Sequence, residues 1–186
     1  MENDLPEPTH DTTDLSKLLL PIQPDDHVQG EEDARFTLVE YGDYECPNCG
    51  QLFQTICDLR LQHPRNIRLV FRHYPLSGIH PHALQAAEAA EAAGAQGKFW
   101  EMHDQLFANQ GALHTKNLLN YAEKLALDMT RFSRELKGGV YEDRIRLDFR
   151  RGVSNGVYGT PGLFINGIRY NGPLDATAVS NFIDSK

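Results

Sequence analysis

A chain of 186 residues can bury one core and carry an inserted subdomain, and its 40% hydrophobic and 24% charged content is that of a soluble globular protein. The net charge of −8 is concentrated at one end: residues 1–34 hold ten acids against Lys17 alone, while the rest holds sixteen acids and seventeen bases. The folded body is therefore near neutral, which excludes a polyanion-binding surface and nucleic acid as a partner.

Residues 1–26 are polar and acidic and carry Pro6, Pro8, Pro21 and Pro24, so a flexible arm is expected there. Its start, MENDLPEPTHDTTD, has neither the basic nor the apolar region of a secretory signal. The longest early apolar run, LLLPI at 18–22, is too short to span a bilayer. The expectation is a cytoplasmic protein with no membrane partner, with one folded domain over residues 27–186.

FTLVEY at 36–41 is rich in β-branched and aromatic residues, ends at Gly42 and reads as a buried strand. DYECPNCG opens the next element. Pro47 suits a first helical position, and Leu52, Phe53, Ile56 and Leu59 recur at helical spacing. A helix is predicted from about Cys46, ending before Pro64. IRLVF at 67–71 is a second strand, and strand, helix and strand in so short a stretch predict a βαβ unit with parallel strands. From about 78 to 155 the chain turns helical. HPHALQAAEAAEAAG, GKFWEMHDQLFANQG, KNLLNYAEKLAL, DMTRFSRELKGG and VYEDRIRLDFRRG are the predicted helices, with Phe99 and Trp100 in the core of this block. Strands return at 163–165 and 168–170, joined by the hairpin dipeptide Asn166–Gly167. Asp175 caps a last helix over 176–184. The class is α/β, in the order β-α-β, helical insertion, β-β-α.

Three cysteines are too few and too odd in number for a secreted disulfide framework. Residues three apart on a helix have Cβ atoms about 5–6 Å from one another, so Cys46 and Cys49 can be bridged with small adjustments. The first of them meets unpaired backbone N–H groups and the positive end of the helix dipole, which favour thiolate over thiol. Cys46 is thus expected as an exposed, activated sulfur, and Cys49, one turn deeper, as the thiol that resolves a mixed disulfide. A zinc site is the metal alternative, completed by Cys57 and His80 or His82 but lacking a second close ligand pair. Two inert thiols are the plain alternative. Cys57 reads as a small buried hydrophobe.

In TLVEYGDYECPNC, FRHYPL, HPHALQAAEAAEAAGAQGKFWEMHDQLF and GTPGLFING, the chain from about residue 27 to its end resembles the DsbA-like branch of the thioredoxin superfamily. The resemblance implies a thioredoxin-like fold with an inserted all-helical subdomain. It also implies thiol–disulfide oxidoreductase activity through Cys46-Pro-Asn-Cys49, with no cofactor or metal. A cis-proline loop at Thr160–Pro161 would face the pair, its Thr160 backbone taking up an extended substrate, with Pro47 and Asn48 also bordering that substrate. Glu40 would be a buried acid under the site, its pKa raised by burial, moving the proton of Cys49. Glu45 is expected to tune local charge. His80 and His82 are expected to stabilise the thiolate or to cap a helix. The implied partners are protein or small-molecule thiols and disulfides and a redox partner such as glutathione or a thioredoxin-type reductant. The net direction stays open. Two other readings stand beside this one. The first is a kappa-like glutathione-dependent transferase or isomerase that shares the helical block, although that branch uses serine where this chain has cysteine. The second is a polypeptide-binding holdase whose cysteines are incidental.

Overall fold

The computed structural model of the chain describes residues 16–185. The central βαβ unit consists of β2 (Phe36–Gly42), α1 (Pro47–Gln62) and β3 (Ile67–His73), with β2 and β3 parallel and in register from Phe36 opposite Ile67 to Gly42 opposite His73. A three-residue strand that the sequence reading did not foresee, β1 (His27–Gln29), runs antiparallel along the other side of β3. The helical block follows as α2 (Ala83–Gly94), α3 (Phe99–Ala108), α4 (Thr115–Lys124), α5 (Met129–Gly138) and α6 (Glu142–Ser154). The chain then returns through β4 (Gly162–Ile165) and β5 (Ile168–Tyr170) to α7 (Ala176–Asp184). The sheet order is β1-β3-β2-β4-β5, with β4 antiparallel to both β2 and β5. Asn166 and Gly167 both have positive φ (48° and 78°), the geometry of the tight hairpin their sequence predicts. Asp175 caps α7 by accepting from the Ala178 N–H.

Alternation along the strands divides the core into layers. Leu38, Ile67, Leu69, Leu163 and Ile165 face α1 and α7, meeting Leu52, Ile56, Leu59, Val179 and Ile183. Val39, Tyr41, Val70 and Phe164 point to the opposite face, where Tyr74 and Val157 pack on them. The alanine face of α2, with Met102, Leu106, Phe107, Leu118 and Phe132, forms the core of the helical block, and this core runs on through Tyr44 and Phe71 to Cys46 and Cys49. The block is therefore continuous with the floor of the cysteine site.

The expected loose arm covered residues 1–26; of these, 1–15 lie outside the described residues, and 16–26 lie against the sheet. Leu18 and Ile22 pack on the face opposite α1. The Leu18 N–H donates to the Gly167 carbonyl (2.7 Å), Lys17 bridges Ile168, and the Arg169 N–H donates to the Ser16 carbonyl (2.8 Å). The physical reason lies in Arg72, whose side chain is fully buried in β3 and must be neutralised there. Asp26 supplies the charge through Nε (2.9 Å) and Nη2 (2.7 Å), and the Pro21 carbonyl and the Tyr41 hydroxyl each accept a bond at 2.8 Å. Among the described residues, no helix is long and apolar enough to cross a membrane.

Candidate active site

Cys46 is the N-cap of α1, with extended backbone (φ −74°, ψ 121°), and Pro47 occupies the first turn. No side chain caps this helix and its first turn holds no acid, so the amide-rich tip is left to the Cys46 sulfur. The Cys46 thiol is pulled down to a pKa of about 5. The largest cause is a hydrogen bond from the Cys49 thiol; burial opposes it, and the Thr160 side chain and the backbone N–H groups of Cys49 and Asn48 add to it. Cys49 is pushed the other way, well above the ordinary thiol range, first by burial, then by its bond to Cys46 and the charges of Glu40 and Cys46. The Asp43 N–H donates to its sulfur at 3.4 Å.

One expectation needs correction. Cys46 is not an exposed sulfur: the residue is 5% exposed, against 0% for Cys49. The cover comes from across the fold, where Thr160 brings its carbonyl to 3.4 Å from Cys46 Sγ, close enough to accept from the thiol form. The Thr160 hydroxyl is buried with no other hydrogen-bond partner, and the Thr160 side chain is among the groups that lower the Cys46 pKa. The Thr160–Pro161 peptide is cis. Pro47 and Asn48 are exposed beside the pair, and Thr160 and Pro161 are half-buried.

Glu40 stands on β2 with its side chain on the α1 face, the same face as Leu38. It is 1% exposed, and Oε1 has no hydrogen-bond partner. Burial, and then the Cys46 charge, raise its pKa to about 8. The carboxyl fits only because position 42 has no side chain: a Cβ on Gly42 would lie 2.4 Å from the Phe71 ring and 2.9 Å from Glu40 Oε1. A small cavity runs from Glu40 past Phe53, Arg60, His103 and Asp104, with Cys57 in its wall. Cys57 is half-buried rather than fully buried, and burial pushes its thiol up.

Several residues that the sequence reading missed hold this loop. Buried Asp43 accepts from the Glu45 N–H, the Leu76 N–H and His80 Nδ1, each at 2.8 Å. Gln110, in the loop after α3, donates its Nε2 to the carbonyls of Tyr44 (2.9 Å) and Cys46 (2.8 Å). The Tyr44 hydroxyl pairs with Nδ1 of fully buried His103 at 3.1 Å, and burial drives the His103 pKa well down. The Glu45 carboxylate takes both the backbone N–H and Nδ1 of His82 at 2.7 Å. Burial would raise the Glu45 pKa, and these bonds hold it low. Burial lowers His80, but Asp43 and the Cys46 thiolate outweigh it and raise its pKa. His80 and His82 thus pair through Nδ1 with Asp43 and Glu45, the two acids of the cysteine loop.

A family model described as thioredoxin matches residues 23–185. In structure, the chain is similar to a thioredoxin-like oxidoreductase of Silicibacter pomeroyi, with 26% identity and a TM-score of 0.76 over 88% of this chain and 92% of that one. It is also similar to DsbA2 of Pseudomonas aeruginosa, with 28% identity and a TM-score of 0.68 over 89% and 96%. In sequence, it is 48% identical over 169 residues to a protein of Salinispora arenicola named Na+/H+ antiporter NhaA 1, which covers 90% of this chain and 26% of that protein. The chain thus spans about a quarter of the length of the curated relatives it matches.

Proposed function

The chain belongs to the thioredoxin family, with a DsbA-like architecture, and from that premise we propose that it exchanges disulfides through Cys46 and Cys49. The observation that carries this reading is the asymmetry of the pair: one sulfur anionic at neutral pH, its neighbour neutral and buried against it. With a pKa of about 5, only about one Cys46 in a hundred stays protonated at pH 7. The Cys46 thiolate attacks one sulfur of a substrate disulfide. That S–S bond breaks, a mixed disulfide forms, and the leaving thiolate takes a proton. In the mixed disulfide the Cys46 charge that helped keep Glu40 protonated is gone, so Glu40 gives up its proton more readily, and its ionised form takes the proton of Cys49 as Cys49 attacks Cys46 Sγ. The mixed disulfide breaks, the Cys46–Cys49 disulfide forms, and the second substrate thiolate leaves. Run backwards, the same steps oxidise a substrate dithiol and reduce the pair.

Stabilising the thiolate stabilises the reduced pair, so its disulfide form is a ready oxidant. Pro47, Asn48 and the Thr160–Pro161 turn border the substrate in this reading, which extends to protein thiols and to glutathione or a thioredoxin-type reductant as redox partner. The antiporter name belongs to relatives of which this chain covers a quarter, and ion transport is not carried over to it.

The test has two parts. Alkylation of the reduced chain should label Cys46 with a rate that titrates near pH 5, while Cys49 and Cys57 resist up to pH 8. A Cys49→Ser variant should accumulate a mixed disulfide at Cys46 with a reducible protein substrate. Equal reactivity of the three thiols, or no trapped adduct, sinks the proposal.

A further inference from the structure

Away from the cysteine pair, the fold draws two imidazoles and a carboxylate together from three separate elements. Antiparallel pairing sets His27 of β1 opposite Phe71, so His73, two residues further along β3, is its diagonal neighbour on the same face of the sheet. Glu91 of α2 comes down on that face. His27 Nε2 lies 2.8 Å and His73 Nε2 3.0 Å from the same Glu91 Oε1, and all three donor atoms lie within 4.8 Å of one another. Among the described residues, this is the group of histidine, cysteine and acidic side chains whose donor atoms converge in this way.

We propose that His27, His73 and Glu91 form a binding site for a divalent transition-metal ion of the zinc class. Two imidazole nitrogens and one carboxylate oxygen, with a fourth position left to water, are a donor set that zinc accepts and that calcium or magnesium does not favour. Tetrahedral ligation at roughly 2.0–2.1 Å needs donor atoms about 3.3 Å apart, so the nitrogens must retreat slightly from the oxygen and close on each other, the three atoms now lying within 4.8 Å of one another. Both rings are held by neighbours. The His27 ring is stacked on Phe99 with centroids 3.4 Å apart, and the His73 backbone N–H is fixed by Asp148 Oδ2 at 3.1 Å. Without metal the Glu91 carboxylate accepts a bond from each ring, so a bound ion takes the place of those two ring N–H protons. Glu88, one turn earlier on α2, adds a second carboxyl whose Oε1 is buried and unpartnered, while Arg144 brings an opposing positive charge. Access is from the β1 side, where the His27 side chain is 20% exposed; those of His73 and Glu91 are 1% and 8% exposed.

The ion would tie the β1 edge and β3 to the helical block, so binding should appear as stability as well as stoichiometry. The site is independent of the redox reading, and the experiment keeps the two apart. The chain carrying Cys46→Ser, Cys49→Ser and Cys57→Ser, which has no thiolate to compete, is stripped with chelator and dialysed against zinc(II). One equivalent of zinc should be retained, the thermal midpoint should rise by several degrees, and cobalt(II) in its place should give the visible absorption of a four-coordinate nitrogen–oxygen site. Adding His27→Gln on the edge strand should weaken zinc binding at least about 100-fold, the top of the range lost with even a supporting contact, and abolish the thermal shift. No retained zinc, or retention that His27→Gln leaves unchanged, overturns the proposal.

Discussion

At the scale of the residue, the site is a contest between burial and hydrogen bonding, decided differently for each group. Cys46 wins its charge because the helix tip, Cys49 and Thr160 all serve it, whereas Glu40 loses its charge because nothing does. The second case has a cost that can be measured. A carboxyl whose pKa is raised on folding binds more protons in the native state than in the unfolded one between its two pKa values. Its contribution to stability is therefore favourable below the unfolded value near 4.3 and is lost as pH rises towards 8. Glu40→Gln removes that penalty, so the reduced protein should gain about 1–3 kcal/mol at pH 7 in urea unfolding and little at pH 4. Resolution of a mixed disulfide by Cys49 should slow at the same time. A variant that is less stable at pH 7 than the parent would contradict this account of Glu40. Its place and its burial were both expected, but only through the family resemblance: alternation along FTLVEY marks a face without saying what covers it. The near-burial of Cys46 was illegible for a related reason, since its cover is a turn 114 positions away.

At the scale of the element, short patterns were easy to read and long-range ties were not. The strands, the start of α1 and the Asn166–Gly167 hairpin carry their instructions within a few residues. β1 does not: His27–Gln29 has little strand character and is half-buried, and it pairs because β3 offers an open side. Asp43 and Gln110 escaped because their bonds reach 37 and 66 positions along the chain. Gly42 looked like the stop of a strand, but its role is steric. Gly42→Ala would drive a methyl into the Phe71 ring and the Glu40 carboxyl. Such overpacking costs typically about 1–3 kcal/mol, and the strain falls on the acid that serves Cys49. We expect a lower urea midpoint together with slower disulfide resolution. An alanine variant with parental stability and parental exchange rate would show that the strand end relaxes freely.

At the scale of the whole molecule, the helical block shares its packing with the redox pair, so the insertion read from the sequence supplies part of the floor of the site. The segment 16–26 escaped that reading because its acidity suggested solvent, when one of those acids, Asp26, is the counter-charge of Arg72. Removing one partner of a buried pair is costly, about 3–5 kcal/mol. Asp26→Ala should therefore lower the stability measured in urea by that order while leaving the pH dependence of Cys46 alkylation unchanged. The joint replacement Asp26→Leu with Arg72→Met should restore at least half of the loss. If the single variant is as stable as the parent, the segment is not held by this pair. The same segment has another consequence, through the bonds that Ser16, Lys17 and Leu18 make along the hairpin of β4 and β5. Those bonds cover the outer side of β5, one of the two edges of the sheet. A chain trimmed past this point would present bare amides and carbonyls on β5, a template for a neighbour's strand, and should elute as higher-order species where the parent elutes as one.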